Sequence, residues 1–175
     1  LKDLPTRSPP GLTLGAILPR ADACDLLVAR PEALADVAAP FPLKPGSRVG
    51  SSSLRREALL KHFAPFCRAE PLTGNVPTRI EKLRDGKYDA IVLAAAGVRR
   101  LELDLSGLAA FELNPRVWPC APGQGAVAVQ CRDGDGDVLA ALRTIHDEAT
   151  ARAVELERRF LQRLEGGCTT PFGCL

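Results

Sequence analysis

Residues 88–96 read YDAIVLAAA, and residues 97–101 continue GVRRL. The first stretch is apolar over strand length without alternation, the pattern of a strand covered on both faces. A short helix opens directly after it, and strand passing into helix is the unit of an α/β fold. Working outward, the alternation recurs. Upstream, 26–30 is an extended run, 48–50 ends a short strand, 54–63 is helical, 67–72 extended and 76–84 helical. Downstream, a segment with Pro115, Pro119 and Pro122 precedes a strand at 126–131 (AVAVQC) and helices at 137–146 and 149–164. The last helix sets Ala149, Ala153, Leu156, Phe160 and Leu164 on one face, which predicts a buried stripe. Gly166-Gly167 ends it, as glycine past a helix commonly does.

This pattern predicts an α/β fold with a mostly parallel sheet. Breaks near 19–25 and 114–125 bracket a block of about 90 residues, ordinary for a small domain. The strands at 11–18 (GLTLGAIL) and 126–131 lie outside the block and are placed to pair with each other. The chain would then enter a second domain and return, by two crossings that could act as a hinge.

Composition narrows the function. The 175 residues are 46% hydrophobic and 25% charged, which excludes a disordered chain. Lys and Arg total 23 against 21 acidic residues, so bulk charge gives no case for nucleic acid or an anionic membrane. No apolar run reaches about 18 residues, so no membrane span is expected. The six cysteines (24, 67, 120, 131, 168 and 174) form no CxxC pair, and with two histidines they predict no metal site. Isolated cysteines fit reduced thiols in a cytoplasmic-type compartment. Methionine is absent, so the expectation is a piece of a longer protein.

Three turns carry the chemistry: 50–56 (GSSSLRR), 72–79 (LTGNVPTR) and 96–100 (AGVRR). Each follows a strand, opens a helix and bears arginine. In a parallel sheet such turns gather at the carboxyl edge, where α/β folds bind ligands. Ser53 is placed as an N-cap and Pro77 at the first helical position. Arginine opposes the dipole of a helix N-terminus, so its repetition suggests an anion arriving from outside. A two-pronged guanidinium suits a ligand with several carboxylates. Phosphate stays open beside carboxylate, and so do ordinary solvated arginines, because Arg outnumbers Lys 18 to 5. Asp3 reads as a turn aspartate before Pro5. Cys168, between Gly167 and Thr169, is either a structural cysteine or an accessible nucleophilic thiol.

Six ordered segments together resemble the porphobilinogen deaminase (hydroxymethylbilane synthase) family. They are LKDLPT (1–6), GSSSLRR (50–56), GNVPTR (74–79), YDAIVLAAAGVRRL (88–101), PGQGAVAVQCR (122–132) and ERRFLQRLEGGCTTPFG (157–173). The resemblance implies a cytoplasmic monomeric transferase, or a plastid one if a transit peptide preceded this sequence. It would polymerise four porphobilinogen molecules into hydroxymethylbilane with release of ammonia. The cofactor implied is a dipyrromethane primer joined by a thioether to Cys168. Asp3 matches the catalytic aspartate, and it joins Lys2, Ser53, Arg55 and Arg56 around the cofactor. Arg55, Arg56, Gly74, Asn75, Arg79 and Arg100 match substrate-binding positions.

The implied fold is a periplasmic-binding-protein-like pair of domains with a hinge, plus the start of a small α+β third domain. Residues 1–21 and 120–145 would belong to domain 1, 22–119 to domain 2 and 146–175 to domain 3. The N-terminal part of domain 1 and most of domain 3 would lie outside this stretch. Thr73 stands where the family has arginine, which implies weaker carboxylate handling. The alternatives are an inactive fragment of the family and a non-enzymatic polyanion-binding module. A phosphate-handling enzyme is a weaker reading, without a P-loop or GxGxxG signature.

Overall fold

The computed structural model describes residues 1–36, 41–164 and 171–175. Strands β1 (Leu12–Ile17), β2 (Asp25–Ala29) and β3 (Arg48–Gly50) precede helix α1 (Leu54–Phe63). Then come β4 (Arg68–Glu70), α2 (Val76–Arg84), β5 (Ala90–Ala94), α3 (Ala95–Arg100) and β6 (Ala109–Leu113). The described chain continues with β7 (Ala128–Arg132), α4 (Gly136–Leu142) and α5 (Glu148–Arg163).

The fold is α/β, but the sheet is mixed rather than mostly parallel. Its order is β4-β3-β5-β2-β6. β3 runs parallel to β4 and β5, whereas β2 lies antiparallel to β5 and β6, with Leu27 opposite both Val92 and Phe111. The reason is the entry point. The chain comes into the middle of the sheet from a crossing, and apolar periodicity carries no sign of strand sense. β6 escaped the sequence reading because AAFEL between turns is short and half-exposed.

Side chains alternate across the sheet. Leu27, Ala29, Val49 and Val92 meet Leu60 of α1, with Phe41 and Trp118, on one face. Leu26, Val28, Ile91 and Leu93 meet Ile80 and Leu83 of α2 and Val98 of α3 on the other. β1 and β7 form a separate antiparallel ribbon from Leu12↔Arg132 to Ile17↔Ala128, so the expected pairing of the outer strands is present.

The two crossings between ribbon and sheet run side by side. Leu18 N–H donates to Val127 O at 2.9 Å and Ala21 N–H to Gly125 O at 3.1 Å. Gly125 has φ +83°, and a Cβ there would sit 2.4 Å from Ala21 O, so only glycine permits this approach.

α5 departs from the amphipathic reading. Leu156, Phe160 and Leu164 are 58%, 60% and 57% exposed, while Thr150, Val154 and Glu157 are buried. Glu157 turns inward because it has donors there: Arg20 binds it through two nitrogens at 2.6 and 3.1 Å, and Gly123 N–H at 2.7 Å. A carboxylate with three donors can be buried, and its bonds fix the rotation of the helix. Among the described residues no helix is long and apolar enough to cross a membrane.

Candidate functional site

β3, β4 and β5 are mutually parallel, so their carboxyl ends share one edge of the sheet. α1, α2 and α3 start there. The N-terminal turn 1–4 and the 123–128 segment close the opposite side, leaving a cavity of about 800 Å³. Lys2, Asp3, Arg56, Gly74, Asn75, Arg79 and Arg100 line it. A smaller cavity of about 230 Å³ adds Ser53 and Arg55 to Lys2, Asp3, Arg56, Arg79 and Gln124. Nine of the ten site residues expected from sequence are thus gathered at one place. The tenth, Cys168, lies outside the described residues.

The local chemistry of the turns differs from expectation in three respects. Ser53 holds the N-cap position of α1, but its side chain makes no capping bond; instead Ser51 Oγ accepts from Ser53 N–H at 3.2 Å. In α2 the cap is Asn75, whose Oδ1 accepts from Thr78 N–H at 3.0 Å, and this puts Val76 first and Pro77 second. The arginine pair of the third turn sits in the last turn of α3, where the dipole favours cations. Arg99 turns to Asp22, at 2.5 Å, and to Glu112. Asp22, Cys24 and Glu112 offer ligand atoms within 4.8 Å of one another, and this guanidinium bridges their two carboxylates. Arg100 alone of the pair faces the cavity.

The centre of the site is a residue that sequence reading did not single out. Asp25 opens β2 and is fully buried. Its carboxylate accepts from Arg55 Nη2 at 2.9 Å, from Arg56 Nε and Nη2 at 3.1 and 2.6 Å, from Trp118 Nε1 at 2.9 Å and from Gln124 Nε2 at 2.8 Å. Burial alone would raise its pKa, but the Arg56 charge and hydrogen bonds, followed by Arg55 and Trp118, outweigh it. The carboxyl is held well below the usual range. The available signal was a lone Asp heading an all-apolar strand in a chain with two adjacent arginines. Its partners lie 30 and more residues away, so no local pattern reveals them.

Two guanidiniums share this one carboxylate, so the cluster carries surplus positive charge. The surplus acts on its neighbours. Desolvation first and the Arg56 charge second depress the pKa of both Lys2 and Arg79. Arg55 is also lowered, by desolvation against the pull of Asp25. Arg79 Nε is steadied by Gly74 O at 2.7 Å. At position 73 a cation is present although arginine is not: Lys82 Nζ donates to Thr73 O at 2.9 Å and to its Oγ1 at 3.2 Å. Asp3 sits exposed in the turn closed by Leu4 N–H to Leu1 O at 3.0 Å.

Two buried polar atoms in this cluster, Arg55 Nε and Gln124 Oε1, have no hydrogen-bond partner among the described residues. One is a donor suited to a carboxylate and the other an acceptor suited to an N–H. A ligand bearing both carboxylates and N–H groups fits the set, and a dipyrromethane with acidic side chains is such a ligand.

Comparison with known proteins gives the same direction. Residues 1–140 match the family described as porphobilinogen deaminase, dipyromethane cofactor binding domain. The chain is 46% identical to the porphobilinogen deaminase of Macrococcus caseolyticus over 172 residues, covering 98% of this chain and 54% of that protein. It is 46% identical to the one from Gloeobacter violaceus over 174 residues, 99% of this chain and 52% of that protein. The chain therefore spans about half the length of these relatives. Among solved structures it is similar to the periplasmic VFT2 domain of BvgS from Bordetella pertussis, at 17% identity and a TM-score of 0.45, over 83% of this chain and 60% of that one.

Proposed function

The chain belongs to the porphobilinogen deaminase family, and from that premise we propose that the intact protein is a transferase of tetrapyrrole synthesis. It joins four porphobilinogen molecules into hydroxymethylbilane and releases ammonia at each addition. The observation that carries this reading is the surplus positive charge around Asp25, facing a cavity with one exposed carboxylate, Asp3. Porphobilinogen carries two carboxylates, so a growing chain needs several fixed cations.

In this reading Lys2, Ser53, Arg55 and Arg56 hold the acidic side chains of a dipyrromethane primer, and Arg79, Arg100, Gly74 and Asn75 bind those of the incoming unit. The primer, when bound, supplies the terminal pyrrole carbon that takes each new unit. Asp3, which lines the cavity, would accept from a pyrrole N–H, and its charge would offset the cation that develops as ammonia leaves. The Cys168 thiolate is the soft nucleophile that anchors the primer as a thioether. We assign residues 1–21 and 120–145 to domain 1, 22–119 to domain 2 and 146–175 to domain 3. The protein acts in the cytoplasm as a monomer on a small molecule, with neither nucleic acid nor membrane as partner.

The test is the intact mass of the protein made with a supply of porphobilinogen. The expected result is a covalent two-pyrrole adduct, absent from Cys168→Ser while circular dichroism stays unchanged. An unmodified thiol that coexists with tight dicarboxylate binding would replace this reading with the polyanion-binding module.

A further inference from the structure

Two cysteines far apart in sequence meet behind the site. Cys174 N–H donates to Cys120 O at 2.9 Å, and Cys120 Sγ lies 3.1 Å from Cys174 O. One backbone hydrogen bond and one thiol-to-carbonyl contact thus hold the two residues side by side, the arrangement that a disulfide needs. The register is held tightly. A Cβ on Gly173 would lie 2.8 Å from Pro119 O and 3.1 Å from Cys120 O, so the 171–175 segment seats flush against 119–120. Cys120 is fully buried and Cys174 half-buried, so Cys174 is the more accessible residue of the two.

We propose that Cys120 and Cys174 form a reversible thiol–disulfide modification site for small-molecule disulfides such as oxidised glutathione. The Cys174 thiolate attacks the glutathione disulfide, an S–S bond forms to Cys174, and one glutathione thiolate leaves and takes up the Cys174 proton. Cys120 then attacks the Cys174 sulfur, the mixed disulfide breaks, and the second glutathione leaves with the Cys120 proton. Two electrons pass from the cysteine sulfurs to glutathione, which is reduced to two thiols. The product ties the 171–175 segment to residues 119–120. This site does not depend on the activity proposed above.

Burial pushes Cys174 up to about 12 and also raises Cys120. Glu157 and each sulfur's neighbouring thiol or carboxylate favour the protonated forms, while Arg20, and for Cys120 also Arg55, oppose them. Because only thiolate reacts, the rate should rise about tenfold per pH unit over the neutral to alkaline range.

The experiment is incubation of the intact protein with oxidised glutathione from pH 7 to 9, followed by non-reducing peptide mapping. The expected product is a 120–174 crosslink that forms faster with pH and is reversed by dithiothreitol. Cys174→Ser should abolish it and leave Cys120 without glutathione. Retention of both thiols, a mixed disulfide that stops at Cys174, or a crosslink of either residue to another cysteine would overturn the proposal. Cys174→Ser alters a half-buried side chain only, so it keeps the test valid if Cys120→Ala fails to fold.

Discussion

The arginines lining the candidate site fall into two regions that use the same side chain differently. Inside, Arg55 and Arg56 are 4% and 5% exposed and are clamped on Asp25. At the rim, Arg79 and Arg100 line the cavity, with Arg79 steadied by a backbone carbonyl. The inner pair has an internal carboxylate, so its geometry is set before any ligand arrives and little ordering entropy remains to be lost on binding. Among the described residues the rim arginines have no carboxylate in that role, so these cations are left to meet a ligand. Under the proposed function, the inner pair would hold one anion firmly and the rim would pass others along.

The contrast can be broken most strongly at Asp25. Asp25→Asn leaves two buried guanidiniums without a carboxylate and should cost about 3–5 kcal/mol, read by urea unfolding at neutral pH. The folded carboxyl titrates below its unfolded value of about 3.9, so its contribution is present above that pH and is lost as pH falls through the folded value. The stability gap between wild type and Asp25→Asn should therefore narrow below about pH 4. A gap independent of pH would show that the carboxylate charge is not what holds the pair.

A smaller effect is expected from Trp118→Phe, which keeps an aromatic ring against Phe41 and Phe63 and removes one N–H. Hydrogen bonds to charged groups contribute about 1.5–3 kcal/mol, and four other donors stay on Asp25, so the loss should fall at the low end. A loss as large as that of Asp25→Asn would mean that ring packing dominates there.

The smallest effect belongs to the rim. Thr73→Arg adds a two-pronged cation where Lys82 already provides a point charge. We expect tighter binding of a dicarboxylate pyrrole by about 0.2–1 kcal/mol, measured by calorimetry, with stability unchanged. A gain of several kcal/mol would show that Lys82 does not serve this position.

Much of this was legible in the sequence because it is local. Helices 54–63 and 76–84 have the bounds that their patterns predict, and β5 lies within the apolar run at 88–96. The arginine turns reach one cavity because they follow parallel strands, a rule of connection rather than of distant pairing. What escaped is non-local. The antiparallel sense of β2 is fixed by where the chain enters the sheet, and apolar periodicity is blind to it. The inward face of α5 is decided by Glu157 meeting Arg20 and Gly123, so a polar contact overrides the apolar stripe. Asp25 was hidden for the same reason: a buried charge is recognisable only through its partners.

Trp118 is the protein's single tryptophan, and its indole N–H ends on the Asp25 carboxylate. The molecule thus carries one indole fluorophore, bonded to the charged cluster that organises its candidate site. Emission wavelength and intensity respond to the field and polarity around an indole. Titrating an acidic ligand, lowering the pH or loosening the 119–125 crossing should each register in one optical signal, without a label.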